Sequence, residues 1–507
     1  MRPVLFTCLA LAAVMPLAAQ STRAARSAVA TITEADVRRR IGIIAHDSME
    51  GRDTPSRGLD LTAQYVADEF RRFGLKPGGD GGTFLQHYSI TKWQMDTAGS
   101  SVTFSASGTT STASFASAAR LAGGTVPSGS INAPVLLVAG KPDPKSLATA
   151  PIKGRMVVLA LPSGTALDRE SQAAIAAGNP AAVVSLAGGD SAAYAERVKN
   201  RLRPRIESSG DAPRPLALEV HESAVRPALK AAGLDLDASR GSATPIVREV
   251  PGLSGGVTVK ETKLSELTAP NTVGILRGSD PKLRDEYVVF SAHMDHVGIS
   301  ANGRCAAMGA DSICNGADDD ASGTIGVVEL AEAFSRKGVK PKRSIIFLTV
   351  SGEEGGLRGS RYYAEHPTVP IEQIVADVNI DMIGRNWPDT IVAIGREHSD
   401  LGTTLDRVAA AHPELKMAVI DDKWPQERFY FRSDHYNFAR KGVPIIFFFN
   451  GVHEDYHKPS DDPAKIDGEK ESRIVKMLFW LGLEIANAPA KPKWNEASYK
   501  DIVASAR

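Results

Sequence analysis

Cysteine is scarce in this 507-residue chain. There are three, and only Cys305 and Cys314 lie beyond the N-terminal apolar stretch. That excludes a disulfide-dense scaffold, and the spacing of the pair matches no cysteine-based zinc module. An excess of one charge is also missing: 59 Lys and Arg balance 59 Asp and Glu, with no dense basic run. A polyanion-binding surface is therefore not expected, and no nucleic acid is expected as a partner. Apolar runs long enough to cross a bilayer are absent as well, so no membrane span is expected once the N-terminal segment is removed. What remains is a globular composition, 43% apolar and 23% charged, at a length that suits roughly two to four domains.

The first residues, MRPVLFTCLALAAVMPLAAQ, combine Arg2, a short apolar stretch from Val4 to Val14, and the small residues Ala18 and Ala19. This reads as a signal peptide, residues 1–20, cleaved near 19–20, and predicts a secreted or periplasmic protein. The alternative is an N-terminal membrane anchor. Cys8 does not follow the apolar core, which argues against a lipoprotein anchor. Cys305 and Cys314 share one loop, so in an exported protein they read as a local disulfide. Two free or weakly metal-binding thiols are the other reading.

Further along, Thr33 and Asp36 have capping-box spacing ahead of a helix over 33–48, with Val37, Ile41 and Ile44 on one face. A second helix is predicted over 58–73, after MEGRDTPSRG, a turn between the two. Residues 95–130 are rich in Ser, Thr, Ala and Gly. APVLLVAG and GRMVVLAL then read as buried strands, and SQAAIAAGNPAAVVSLA as helix, turn and strand. The stretch 96–265 carries no convincing catalytic constellation and reads as an inserted domain, dividing a unit made of 30–95 and 266–487. Residues 488–507 read as a linker with an exposed tail or short terminal helix. From Pro270 near-continuous apolar runs (EYVVFSA, SIIFLTV, VADVNI, VPIIFFF) alternate with helical segments. That predicts an α/β fold, a mixed but mostly parallel central sheet flanked by helices.

The acidic and imidazole residues of this half follow the strands. His293 and Asp295 come after the first run, Glu353 and Glu354 after the second, Asp381 at the end of the third, and His457 in the loop after the fourth. Asp318, Asp319 and Asp320 precede a helix in between. In open α/β sheets, ligand sites lie outside the carboxyl ends of strands, so these groups can converge. Crowded carboxylates force protons onto some members unless a cation balances them. His with Asp and Glu ligands suits zinc, and a pair of zinc ions can activate water and polarise a carbonyl together. Taken singly, each motif has a bland reading: GEEGG as a solvated turn, DDD as a helix-start cluster, His457 as an ordinary loop histidine. His296, His366, His435 and His453 are assigned structural or supporting roles only.

The succession H-x-D, G-A-D-D-D-A-S-G, G-E-E-x-G-L-R-G-S, I-D-M and a late His beside HKPSDD resembles the co-catalytic di-zinc exopeptidase family, which includes bacterial leucyl aminopeptidase, aminopeptidase Y and glutamate carboxypeptidase II. The insert resembles the β-rich protease-associated domain of that family, on APIKGRMVVLALPSG followed by AAIAAGNPAAVVSL. The resemblance implies two zinc ions per chain. Asp319 would bridge them, with His293 and Asp381 completing one and Glu354 and His457 the other. It implies Glu353 as general base and Asp295 as the carboxylate orienting His293. Tyr430, three residues before Ser433 of S-D-H, falls where some members place a tyrosine that steadies the oxyanion. The implied activity is an exported aminopeptidase acting on peptide substrates. The alternatives are a carboxypeptidase or dipeptidase, with Arg385, Arg428 and Arg432 as candidate carboxylate-binding groups, or a non-catalytic binding homologue.

Overall fold

The computed structural model describes residues 17–200, 202–211 and 213–503. The apolar stretch Val4–Val14 lies outside them; a helix, Leu17–Val29, runs through the expected cleavage point. The chain divides into two compact units. One is formed by the chain through Ile90, Ser208–Gly210 and the residues from Leu267 onward; the other by Thr91–Glu207 and Asp211–Glu266.

In the first unit, helix α1, Glu34–Ile44, is capped by Thr33, whose hydroxyl accepts the Asp36 N–H at 3.1 Å. It is shorter than the predicted 33–48, because Asp47–Arg52 turns into a tight irregular segment with Glu50, Gly51 and Arg52 all at positive φ. Gly51 is required there: a Cβ would meet the carbonyl oxygens of Cys314 and Gly298 at 2.5 Å. Helix α2, Arg57–Arg72, follows with Ser56 as its N-cap and buries Leu59, Ala63, Val66 and Phe70.

The sheet of this unit includes the strands β1 (Glu261–Leu276), β2 (Tyr287–His293), β3 (Ser344–Val350), β4 (Ile374–Ile380), β5 (Thr390–Ile394), β6 (Ala418–Ile420) and β7 (Ile445–Phe448). Their spatial order is β6-β5-β7-β4-β2-β3-β1. The four central strands, β7, β4, β2 and β3, are mutually parallel, while β1 and β5 pair antiparallel at their flanks. Every residue of the four is buried. That is the physical reason they read as continuous apolar runs: helices cover both faces. Helix α3, Gly323–Phe334, packs on this sheet, and the 20-residue helix α4, Gly468–Asn487, packs on α1 and α3. Arg40 of α1 ties the helices together through ion pairs to Glu69 of α2 and to Glu329 and Glu332 of α3. The C-terminal segment is not simply exposed. Residues Glu496–Ile502 form a helix, Ile502 and Val503 are buried, and the Trp494 indole donates to the Gly442 carbonyl at 2.9 Å.

The second unit has its own core beneath a separate sheet. Strands Ile131–Ala139, Met156–Ala160, Ala182–Ala187 and Ala217–His221 run parallel, with Ile246–Thr258 and Ala119–Gly123 antiparallel at either side. APVLLVAG and GRMVVLAL lie on the first two of these.

Arg52 supports the turn that approaches the strand ends. Its fully buried guanidinium donates to the carbonyls of Met294 (2.8 Å), Ile44 (2.9 Å), Asn315 (2.6 Å) and Gly316 (2.9 Å). Burial lowers its pKa from the ordinary value, and Asp319, Asp295, Asp461 and Asp320 oppose this with a field that favours its charge. Replacing Arg52 with Met strands four buried carbonyls and removes that cation. The variant is expected to lose ~3–5 kcal/mol, the cost of breaking a buried charge network. A urea-unfolding midpoint within error of the parent protein would contradict this.

Candidate metal centre

Because β2, β3, β4 and β7 are parallel, their carboxyl ends share one edge of the sheet. His293 is the last residue of β2, Glu353 and Glu354 follow β3, Asp381 follows β4, and the loop after β7 carries His457. The aspartate turn Ala317–Ser322 leads into α3 at the same edge.

The structure brings His293, Asp319, Glu354, Asp381 and His457 together, and adds His296. One group of donor atoms comprises His296, Asp319, Glu354 and His457. His457 Nε2 lies 3.1 Å from Asp319 Oδ2 and 3.0 Å from Glu354 Oε1. His296 Nδ1 lies 3.5 Å and 3.1 Å from the same two oxygens. The second group is His293, Asp320 and Asp381. Asp320 is already engaged: its carboxylate accepts the N–H groups of His293, Gly323 and Met382 at 2.8–3.1 Å. Asp319 Oδ1, 3.4 Å from His293 Nε2, is the freer oxygen on that side, with Asp381 Oδ1 at 3.6 Å. Asp319 thus faces His293 with one oxygen and His296 and His457 with the other, the geometry of a bridging carboxylate.

Neighbouring groups hold these side chains in place. Asp381 Oδ2 accepts from the Ser433 hydroxyl at 2.9 Å, leaving Oδ1 for His293. Asp461, from HKPSDD, accepts the N–H groups of Asp318 and Asp319 at 3.1 Å and fixes the turn. Asp295 accepts from Thr54 Oγ1 (3.0 Å) and from the Glu353 N–H (3.2 Å). Its carboxylate is 3.6 Å from His293 Nδ1, whereas its own carbonyl oxygen is at 3.2 Å, so the carbonyl is the closer acceptor. Arg304 donates to the Glu354 carbonyl at 2.5 Å. The loop just beyond it is closed by a Cys305–Cys314 disulfide, with the Cα atoms 5.8 Å apart.

Electrostatics reflect the crowding. Burial disfavours the His457 imidazolium, but Asp319 and Glu354 outweigh it and raise its pKa to about 10. Burial and Asp319 push the Glu354 carboxyl up, but His296 and His457 prevail and lower it to about 2. Burial drives Glu353 well above the ordinary carboxyl range, with His293 opposing and Asp434 and Asp381 adding to the rise. In the bare site, protons on imidazoles do the balancing that a divalent cation would do. The donor set fits such an ion. His296 Nδ1, His457 Nε2, Asp319 Oδ2 and Glu354 Oε1 are all buried and none makes a hydrogen bond.

A recess of about 50 Å³ opens beside the cluster, lined by His293, Asp319, Glu353 and Asp381 and walled by Met382, Phe429, Phe447 and Phe449. Tyr456 and Arg432 also line it. Larger hollows, of about 490 and 1070 Å³, lie in the second unit and are lined by no histidine. Size therefore does not locate the chemistry here. Tyr430 stands apart from the cluster: its ring packs edge-on against His398 at 4.6 Å, and burial, with the Glu397 charge adding, raises its hydroxyl's pKa. Tyr456 instead stacks on His457 at 3.8 Å and feels Asp319, Glu354 and Asp381. Of the three arginines named from sequence, Arg385 is paired with Asp455 at 2.9 Å, Arg428 packs on Phe431, and only Arg432 reaches the recess.

Sequence reasoning missed His296 and Tyr456. Each is next to a residue it did select, Asp295 and His457. His296 follows H-x-D directly, which a histidine count over the motif registers, but nothing in the sequence says that the loop turns its ring back toward Asp319. Tyr456 carries no signal beyond its adjacency.

Residues 271–480 match Peptidase family M28. The chain is 30% identical over 246 residues to aminopeptidase YwaD of Bacillus subtilis, covering 46% of this chain and 49% of that protein. It is 31% identical over 212 residues to leupeptin-inactivating enzyme 1 of Streptomyces exfoliatus, covering 42% of each. It is 27% identical over 289 residues to a probable zinc metalloprotease of Pyricularia oryzae, covering 47% of this chain and 54% of that one. The chain spans about half the length of these curated relatives. Among solved structures, BSAP, a zinc aminopeptidase from Bacillus subtilis, aligns with a TM-score of 0.47 at 17% identity, covering 94% of this chain and 99% of that one. The matched residues 271–480 carry all four strand-end motifs and the aspartate turn between them, and it is this part of the chain that is similar to Peptidase family M28.

Proposed function

We propose that the protein is an exported di-zinc aminopeptidase that removes N-terminal residues from peptides. The observation that carries this reading is the placement of Asp319 between two imidazole and carboxylate groups, beside a recess that Glu353 also lines. Two zinc ions held by His293, Asp319 and Asp381 on one side and by Asp319, Glu354 and His457 on the other would supply Lewis acidity to a scissile carbonyl and acidify the attacking water. Glu353 takes the proton from that water and returns it to the leaving amine. Asp295 accepts its backbone N–H, and Glu353 lines the recess where a substrate would sit. The Tyr456 hydroxyl is the group suited to steady the oxyanion, a role for which Tyr430 is too remote. Asp295 keeps the His293 ring oriented.

The recess is small and apolar-walled, which suits one residue's side chain and an exopeptidase in place of an enzyme that threads a chain through. One observation favours the second reading, a dipeptidase or carboxypeptidase: Arg432 lines the recess and could meet a substrate carboxylate. Export is supported by the N-terminal sequence and by the Cys305–Cys314 disulfide, since disulfides persist in oxidising compartments. No helix among the described residues is long and apolar enough to cross a membrane. The second unit, with its separate sheet and core, is the segment that resembles a protease-associated domain.

Glu353→Gln is expected to keep its zinc, measured by elemental analysis, while kcat falls ~10²–10⁴-fold, the range for loss of a general acid–base. Near-parental turnover would remove Glu353 from the mechanism. Aminoacyl-anilides should be cleaved and N-blocked dipeptides with a free C-terminus should not. The opposite preference, abolished by Arg432→Ala, would establish the carboxylate-directed reading instead.

A further inference from the structure

We infer that His296 is a protein ligand of one metal, so that the two positions of the centre differ in kind. This rests on the di-zinc reading above. Zinc bonds of 2.0–2.1 Å in a tetrahedron separate neighbouring ligand atoms by about 3.3–3.4 Å. His296 Nδ1 lies 3.5 Å from Asp319 Oδ2 and 3.1 Å from Glu354 Oε1, and His457 Nε2 lies 3.1 and 3.0 Å from those same atoms. All four atoms fall within 4.8 Å of one another. These are four of the six edges of one tetrahedron, with two imidazoles and two carboxylates at its corners and the other two edges within 4.8 Å.

His296 has no other employment. It is fully buried, and neither ring nitrogen makes a hydrogen bond. A buried imidazole whose ring nitrogens make no hydrogen bond is costly unless a bound ion takes one of them. The chain is shaped to hold the ring there. The His296 N–H donates to the Arg52 carbonyl at 3.2 Å. Gly316, at φ 57°, passes so close that a Cβ would lie 2.5 Å from the ring. The glycine that opens the aspartate turn is therefore the residue that admits His296.

The consequence is asymmetry. The position holding His296, Asp319, Glu354 and His457 has four protein ligands and is closed, as structural zinc sites are. The position holding His293, Asp319 and Asp381 has three and keeps a place open, as catalytic sites do. The closed position should bind zinc first and release it last.

The experiment is zinc binding to the full chain, comparing the parent with His296→Ala and with His296→Phe, which keeps the ring's bulk. Calorimetric titration of the stripped parent should resolve two unequal sites. In both variants the tighter site should weaken by at least ~10–100-fold, the loss attached even to groups that only support a metal ligand. Unfolding of stripped parent and stripped His296→Phe should be alike, with the gap opening only when zinc is added. Equal destabilisation with and without zinc would make His296 merely a packing residue. A parent that binds two zinc ions with variants that bind them unchanged would overturn the assignment while leaving the di-zinc reading intact. A parent that binds no zinc would overturn both.

Discussion

The centre of this molecule is held together by the need to balance buried negative charge. Asp318, Asp319, Asp320, Asp295, Asp381, Asp461, Glu353 and Glu354 meet at one edge of a sheet whose four central strands are wholly buried, and most of these carboxylates are shielded from water. Carboxylates in that setting either take protons or recruit cations. The protein uses several devices: the buried Arg52 guanidinium, the imidazoles of His293, His296, His453 and His457, and backbone N–H groups directed at Asp320 and Asp461. What remains unbalanced is confined to a few convergent atoms with no hydrogen bond, which is what a metal site requires.

The two kinds of carboxylate in the aspartate turn illustrate how one short segment is divided. Asp320 is consumed by structure: it caps α3 through Gly323 and ties the ends of β2 and β4 by accepting from His293 and Met382. Asp319, one residue earlier, makes no such bonds with its Oδ2 and looks toward both imidazole groups. Asp461, distant in sequence, accepts the backbone of the turn so that Asp319 is presented in one orientation. The chemistry of one side chain therefore depends on the bookkeeping of its neighbours.

The supports are spread along the whole unit. Arg52 and Thr54 come from the N-terminal segment, Arg304 from the disulfide loop, Ser433 from the segment before β7 and Asp461 from the loop after it. The fold gathers these on one sheet edge, and each fixes a backbone or a side chain at the histidine and carboxylate cluster. This explains why the N-terminal GRDT sequence, which read as a plain turn between helices, is instead a brace under the centre.

By itself the sequence determined the alternation of apolar runs and helices, hence a mainly parallel sheet, and the strand-end position of His293, Glu353, Glu354, Asp381 and His457. Those are local properties: period, burial and spacing survive in one dimension. The helix that stops at Ile44, the role of Arg52, the remoteness of Tyr430, the nearness of Tyr456 and the turning of His296 toward Asp319 were decided only in three dimensions. Each depends on which way a loop side chain points after the strands have packed. A loop residue's direction is set by partners hundreds of positions away, as Arg52 is by Gly316, and no local pattern encodes it.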